Sequence, residues 1–141
     1  MSRILVVDDD KSVRLSIQSW LERDGHEVIV EESGRDAIEA LTRTTFDLVI
    51  VDIFMPGMDG LQTIKAFHHH SPNLPIIVMS GFMFRDTSAP APDFLGMSTK
   101  LGAAYSLHKP FRPHDLLKAI ETCLGNRLND LAARARVARM S

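Results

Sequence analysis

The sequence is poor in cysteine, and Cys123 is the single one among its 141 residues. A lone cysteine cannot form a disulfide within the chain, which excludes the small secreted domains that several disulfides hold together. Cys123 lies at helical spacing from apolar residues, among them Ile120 and Leu124. This spacing predicts a buried, reduced thiol.

Long hydrophobic runs are also lacking. No apolar stretch approaches the roughly 18 residues that a membrane-spanning helix needs. The first residues, Met-Ser-Arg, are followed directly by a strand-like run, which is not the pattern of a signal peptide. We therefore expect a cytoplasmic protein.

A strong excess of either charge is absent as well, because 16 Lys and Arg stand against 18 Asp and Glu. The net charge of −2 gives no general case for nucleic-acid binding. Residues 125–141 carry a local charge of +3, from Arg127, Arg134, Arg136 and Arg139 against Asp130, whereas residues 1–124 carry −5.

What the sequence does contain is a regular alternation of two patterns. Amphipathic segments carry apolar stripes at helical spacing, such as Val13, Ile17 and Leu21. Between them lie short β-branched or apolar runs that predict strands covered on both faces, at 3–8, 27–31, 47–52, 75–80 and 104–109. The alternation predicts one three-layer α/β/α domain with parallel strands and right-handed crossovers.

Polar residues stand at the ends of four of the predicted strands. Asp8 and Asp9 end the first, Asp52 the third, Ser80 the fourth and Lys109 the fifth. Because the carboxyl ends of parallel strands face one crevice, these five side chains are expected to converge. Carboxylates suit Mg²⁺ and an ammonium suits phosphate charge, so the convergence predicts phosphoryl chemistry.

Four motifs follow one another at these strand ends: ILVVDDD, DLVIVDIFMPGMDG, PIIVMSG and HKPF. In this order and spacing they resemble the receiver domain of bacterial two-component response regulators, over about residues 3–124. The resemblance implies a flavodoxin-like, doubly wound sandwich whose five-stranded parallel sheet has the order 2-1-3-4-5. It also implies a phosphate donor, either a histidine kinase or a histidine phosphotransfer protein.

The resemblance further assigns a role to each strand-end residue. Asp52 is expected to accept a phosphoryl group as an aspartyl phosphate, while Lys109 and Ser80 contact the phosphoryl oxygens. The bond between Lys109 and Pro110 is expected to be cis. The expected ligands of one Mg²⁺ are Asp8, Asp9, Asp52 and the main-chain carbonyl of Phe54. Such a protein catalyses its own phosphorylation and is not an enzyme acting on a separate substrate.

Several other polar or aromatic residues have simpler interpretations. Asp10 and Asp59 are predicted to cap the N-termini of the first and third helices. Three consecutive histidines, residues 68–70, cannot share one helix face, so a solvated helix end is favoured over a metal site. Trp20 is predicted to pack in the core or at its rim.

The sequence departs from the family pattern near its fifth strand. The family usually carries an aromatic residue three positions before the lysine, where this chain has Ser106. Tyr105 is one position earlier, and on a strand that shift places the side chain on the opposite face. The stretch between Ser80 and Lys109 is also longer than usual, with a Pro-rich loop at 82–92 and a short helix predicted at 93–100.

Two phenylalanines flank the expected phosphoryl position. Phe54 lies two residues after Asp52, and Phe82 lies two residues after Ser80. Apolar rings cannot orient a hydrolytic water by hydrogen bonding, which predicts a slowly hydrolysing aspartyl phosphate. Packing at the rim of the sheet, without any function, is the alternative interpretation of both rings.

The domain organisation follows from these observations. Residues 1–124 are predicted to form the receiver, and residues 125–141 a basic tail, either helical with a Leu/Ala stripe or a frayed end. A helical tail would favour pairing with a second subunit or a partner. Because seventeen residues cannot form a helix-turn-helix domain, we expect a stand-alone receiver without direct DNA binding. Two alternatives stay open, a pseudo-receiver that acts as a constitutive interaction module and a nucleic-acid-associated regulator that uses its Arg-rich tail.

Overall fold

The computed structural model describes residues 2–53, 60–80 and 104–125. Within them the predicted alternation of strands and helices is observed, and a last helix covers residues 113–125. The other elements, in chain order, are β1 (Arg3–Val7), α1 (Lys11–Arg23), β2 (Glu27–Glu31), α2 (Gly34–Arg43), β3 (Leu48–Asp52), α3 (Gly60–His70), β4 (Ile76–Ser80) and β5 (Tyr105–His108).

The strands form one parallel sheet in the order β2-β1-β3-β4-β5, which confirms the flavodoxin-like fold class. Every residue of β3 and β4 is buried, because these two strands lie inside the sheet with helices on both faces. The edge strand β2 is only partly buried and begins with the exposed Glu27. Continuous apolar runs thus coincide with the covered strands.

Alternate residues of each strand pack into two separate hydrophobic clusters, one on each face of the sheet. The first cluster lies against α2 and α3 and includes Val7, Val51, Ile64, Phe67 and Val78. The second cluster lies against α1 and the last helix and includes Val6, Ile17, Ile50, Met79, Leu116 and Cys123. The two-residue period of a strand therefore decides which helices each side chain contacts.

Helix boundaries agree with the local chemistry. Asp10 is the N-cap of α1, because its carboxylate accepts a hydrogen bond of 2.8 Å from the Ser12 N–H, as predicted. Gly25 follows the end of this helix with a φ of +89°, a left-handed conformation that favours glycine. The strand β2 has the predicted bounds, whereas the other four strands are one or two residues shorter than predicted. Asp47, for example, precedes β3 and accepts a hydrogen bond of 2.8 Å through its carboxylate from the Arg3 N–H.

Smaller predictions are confirmed within the described residues. Cys123 is buried in the second cluster, and this burial raises the pKa of its thiol. Trp20 is half-buried and meets Phe111 edge-on, with ring centroids 6.5 Å apart. The three histidines at 68–70 are exposed at the end of α3. Among the described helices, none is long and apolar enough to cross a membrane.

Several predictions fall on parts of the chain outside the described residues. These are the Asp59 cap, the carbonyl of Phe54, the position of Phe82, the helix at 93–100 and the tail from residue 126 onward.

Candidate functional site

Two carboxylates lie side by side at the carboxyl edge of the sheet. Asp8 directly follows β1 and Asp52 is the last residue of β3, and these strands are parallel neighbours in which Val7 faces Val51. Asp8 is fully buried and Asp52 is only 5% exposed. A buried carboxylate is stabilised only if cations or hydrogen-bond donors surround it, so the contacts of this pair define the site.

Both the main chain and the side chain of Asp8 form hydrogen bonds that hold the residue in place. Its N–H donates to the carbonyl of Glu31 over 3.2 Å, and its Oδ1 accepts from the Asp10 N–H over 2.9 Å. The Arg14 guanidinium donates to the carbonyl of Asp8 over 2.7 Å. Sequence reasoning did not identify Arg14, although its place one helical turn after the Asp10 cap was a usable signal.

Lys109 supplies the cation of the site. Its N–H donates to the carbonyl of Ser80 over 2.7 Å, which continues the pairing of β4 and β5 by one residue. The bond from Lys109 to Pro110 is cis, as the resemblance implied. The ammonium Nζ lies 2.6 Å from Oδ2 of Asp8 and 3.0 Å from Oδ2 of Asp52. One ammonium thus bridges both buried carboxylates.

The charge state of Lys109 reflects two opposing effects. Burial by itself lowers the pKa of the ammonium, because a low-dielectric environment disfavours charge. The hydrogen bonds to Asp8 and Asp52 act in the opposite direction and outweigh burial, so the pKa of Lys109 stands above its ordinary value of 10.5. The lysine therefore stays protonated at neutral pH.

Asp9 completes an acidic cluster with these two aspartates. Oxygen atoms from Asp8, Asp9 and Asp52 all lie within 4.8 Å of one another. Asp9 is exposed, whereas the other two are buried, so the cluster opens to solvent on one side. Three oxygen donors of this kind fit a hard divalent cation such as Mg²⁺, which keeps several waters when it binds to protein carboxylates.

Ser80 lies at the same edge of the sheet, as the last residue of β4. It is 3% exposed, and its hydroxyl is 3.2 Å from Nδ1 of His108 on β5. Sequence reasoning did not identify this neighbour. The predicted ends of the two strands would have paired Ser80 with Lys109, and only the observed register pairs it with His108.

The departure from the family pattern on β5 has the predicted geometry. Ser106 faces Val78, a member of the first cluster, and is half-buried. Tyr105 faces Ile77, a member of the second cluster, and is 39% exposed. The two side chains are thus on opposite faces of the sheet, and the aromatic ring is not on the face of Ser106.

Comparison with known proteins agrees with the family resemblance seen in the sequence motifs. The family model described as the response regulator receiver domain matches residues 4–121. Response regulator protein FleR of Pseudomonas aeruginosa is 34% identical over 119 residues, which are 84% of this chain and 24% of that protein. Transcriptional regulatory protein ZraR of Escherichia coli is 34% identical over 123 residues, or 87% of this chain and 26% of that protein. The chain therefore spans about a quarter of the length of these relatives.

Solved structures resemble the chain over nearly its whole length. A CheY-like response regulator receiver domain protein from Methanospirillum hungatei superposes with a TM-score of 0.82 at 27% identity, covering 92% of this chain and 98% of that one. A response regulator receiver domain protein from Clostridium thermocellum has a TM-score of 0.79 at 28% identity, covering 93% and 99%.

Proposed function

The chain belongs to the response regulator receiver domain family, and on that basis we propose that it accepts a phosphoryl group on Asp52 from a histidine kinase or histidine phosphotransfer protein. The observation that carries this proposal is the bridge from Lys109 to both Asp8 and Asp52. It supports the proposal because the carboxylate of Asp52, an ammonium and an oxygen-donor cluster lie close together at the carboxyl edge of the sheet. Phosphoryl transfer needs these three components.

In the proposed reaction, a carboxylate oxygen of Asp52 forms a bond to phosphorus in line with the leaving group. The bond from phosphorus to the donor's histidine nitrogen breaks, and that nitrogen keeps the electron pair. The phosphoryl oxygens carry negative charge throughout, so the rate depends on positioning and on charge neutralisation. Because Asp52 is almost fully buried at the end of a central strand, its position is set by the sheet.

Lys109 and Ser80 are proposed to hold the transferred group. The ammonium of Lys109 already contacts a carboxylate oxygen of Asp52, so it lies close to any phosphoryl group attached there. A charge-assisted hydrogen bond from a lysine to a phosphate oxygen is stronger than one between neutral groups. The hydroxyl of Ser80 has one hydrogen to donate to the same group.

Mg²⁺ is the proposed cofactor, held by Asp8, Asp9 and Asp52 with the carbonyl of Phe54 added by family resemblance. When bound, it neutralises charge that develops on phosphoryl oxygens during transfer. The oxygen-only donor set of the acidic cluster supports this choice of ion. In this proposal the metal is needed beside Lys109, because one ammonium offsets only one of the three negative charges of the carboxylates.

We further propose that residues 1–124 carry all of this chemistry and that the basic residues 125–141 form a helical tail outside it. FleR and ZraR are named as regulators about four times as long as this chain, so their whole activities are not transferred to it. A constitutive interaction module remains the competing proposal. Ser106 favours it, because the aromatic of the usual conformational switch is missing from that position.

Mass spectrometry after incubation with acetyl phosphate and Mg²⁺ tests the proposal. We expect one labile phosphoryl group, located on Asp52, and none in Asp52→Asn or after chelation of the metal. Asp47→Asn is the matched control, because Asp47 directly precedes the same strand at the opposite edge of the sheet and its carboxylate contacts Arg3.

Two outcomes would contradict the proposal. Undiminished phosphorylation of Asp52→Asn would move the acceptor to another residue. A wild-type protein that stays unmodified while the metal binds would instead favour the constitutive interaction module.

A further inference from the structure

Ser80 and His108 are a hydrogen-bonded pair that links the interior of the site to the protein surface. The register of β4 and β5 places them directly opposite each other, and Oγ of Ser80 is 3.2 Å from Nδ1 of His108. Ser80 is 3% exposed, whereas His108 is exposed. The register brings the two residues side by side, so their side chains are within hydrogen-bonding reach of each other while the strands are paired.

His108 also lies on a distinctive face of the sheet. Residues alternate along a strand, so His108 shares its face with Ser106, while Leu107 packs into the second cluster on the other face. Ser106 is the position where the family usually has its aromatic residue. The hydroxyl of Ser80, which we assign to the phosphoryl group, therefore has the imidazole of His108 as its neighbour on this face.

The hydrogen-bonding capacity of the two groups restricts how this pair can behave. A serine hydroxyl has one hydrogen and two lone pairs, and a phosphoryl oxygen accepts only. When Ser80 donates its hydrogen to a phosphoryl oxygen, it can only accept from Nδ1 of His108. Without a phosphoryl group, the same hydrogen can be donated to Nδ1. The Ser80–His108 hydrogen bond can thus run in either direction without a phosphoryl group, but in only one direction while Ser80 donates to a phosphoryl oxygen.

We propose that His108 is a positioning residue whose ring changes from acceptor to donor at Nδ1 when Asp52 is phosphorylated. The inference rests on the proposed function, because it takes Asp52 as the acceptor. In the neutral ring, Nδ1 takes up a proton from water and Nε2 returns one to water, so no net charge changes. The exposed ring has the access to solvent that this exchange requires.

This tautomer change does two things. Donation from Nδ1 to Oγ orients the Ser80 hydrogen toward the phosphoryl group, which stabilises the phosphorylated state. It also changes the Nε2 atom from a donor into an acceptor on the exposed edge of β5. A binding partner at that edge would meet a different hydrogen-bonding group in each state.

Nitrogen NMR of the protein with ¹⁵N-labelled histidine rings reads the tautomer directly. At a pH above the titration range of histidine, we expect Nδ1 of His108 to shift from the unprotonated to the protonated range on addition of acetyl phosphate and Mg²⁺. His68 and His69 are internal references, because they are exposed at the far end of α3. An Nδ1 signal of His108 that stays unprotonated in fully phosphorylated protein overturns the proposal.

Two substitutions of His108 distinguish an effect of its hydrogen bond to Ser80 from a purely structural effect of the side chain. His108→Leu removes the hydrogen bond, whereas His108→Asn keeps an amide near the place of Nδ1 that can donate or accept. We expect His108→Leu to lower the steady-state phosphorylated fraction about fivefold, the equivalent of one lost hydrogen bond, and His108→Asn to restore it to within about twofold. Equal phosphorylation of His108→Leu and wild type, or failure of His108→Asn to restore it, overturns the proposal.

The same samples distinguish this inference from the function on which it rests. Mass spectrometry of the wild-type protein reports phosphorylation of Asp52 without reference to His108. A phosphorylated wild type with an unresponsive His108 refutes only the role of His108. A wild type without phosphorylation refutes both.

Discussion

The ammonium nitrogen of Lys109 lies 2.6 Å from Oδ2 of Asp8, although 101 residues separate the two in the chain. Asp8 has no exposed surface, and the side chain of Lys109 is 18% exposed. A contact between such groups is stabilising only while both partners are present, because either one alone would be a buried, uncompensated charge. The ion pair thus makes the acidic cluster compatible with a folded protein before any metal binds.

Removal of the Lys109 charge is therefore expected to make stability depend on metal. Lys109→Met should lower the free energy of unfolding by about 3 kcal/mol in the presence of chelator, since Asp8 and Asp52 lose their shared cation. Mg²⁺ should stabilise this variant more than it stabilises the wild type, because it supplies the missing positive charge. Denaturant unfolding with and without Mg²⁺ measures both effects.

Lys118→Met is the matched control for this experiment, because Lys118 is exposed on the last helix. It should change stability little under either condition. An equal loss of stability for Lys109→Met with and without Mg²⁺ would contradict a role of the lysine in offsetting the carboxylates.

Arg14 is expected to stabilise the turn that carries the acidic residues. Arg14→Met keeps most of the apolar stem but removes the hydrogen bond to the carbonyl of Asp8, which should lower the free energy of unfolding by about 1.5 kcal/mol. Arg23→Met is the control, since Arg23 is exposed on the same helix. Equal unfolding midpoints of the two variants would show that the contact with Asp8 contributes nothing.

Glu31 is expected to lower stability as the pH rises. Burial, followed by the negative charge of Asp36, raises the pKa of its carboxyl above the ordinary 4.5, although Arg43 acts in the opposite direction. A carboxyl group whose pKa is higher in the folded than in the unfolded protein lowers the free energy of unfolding as the pH rises. This loss begins near the pKa of the unfolded state and is complete above the pKa of the folded state. Glu31→Gln removes this loss.

The effect of Glu31→Gln is expected to be small, because the carboxyl is only partly buried and solvent screens its interactions. The variant should match the wild type near pH 4 and exceed its stability by about 0.3 kcal/mol near pH 7. Thermal or urea unfolding at both pH values measures the difference, with the exposed Glu121→Gln as control. A gain that is the same at both pH values would disprove the link to ionisation.

The lifetime of the aspartyl phosphate is predicted from the sequence alone. Phe54 and Phe82 lie outside the described residues, and their apolar rings are expected to slow the approach of hydrolytic water. Phe54→Asn and Phe82→Glu should therefore speed dephosphorylation by about fivefold or more, since polar side chains can orient a water in line. The measurement is the decay of phosphorylated protein after removal of the donor, and an unchanged rate in both variants would refute shielding.

The residue pattern alone was sufficient to predict the alternation of strands and helices, whereas the strand order was implied by the family resemblance. Continuous apolar runs such as 48–51 predict strands covered on both faces, and amphipathic stripes such as Ile17 and Leu21 predict the helices that cover them. The Asp10 cap was likewise predictable, because a capping side chain contacts residues only two or three positions away. Local periodicity and local hydrogen bonds are properties of neighbouring residues, so they can be identified in the sequence.

Only the tertiary structure decided which long-range partners the strand-end residues have. That one ammonium contacts both Asp8 and Asp52 depends on the sheet order and on the chain path after β5. The pairing of Ser80 with His108 depends on the register of β4 and β5, and a shift of one residue would place Leu107 or Lys109 there instead. Register and strand order arise from packing of the whole sheet against its helices, which no short stretch of sequence contains.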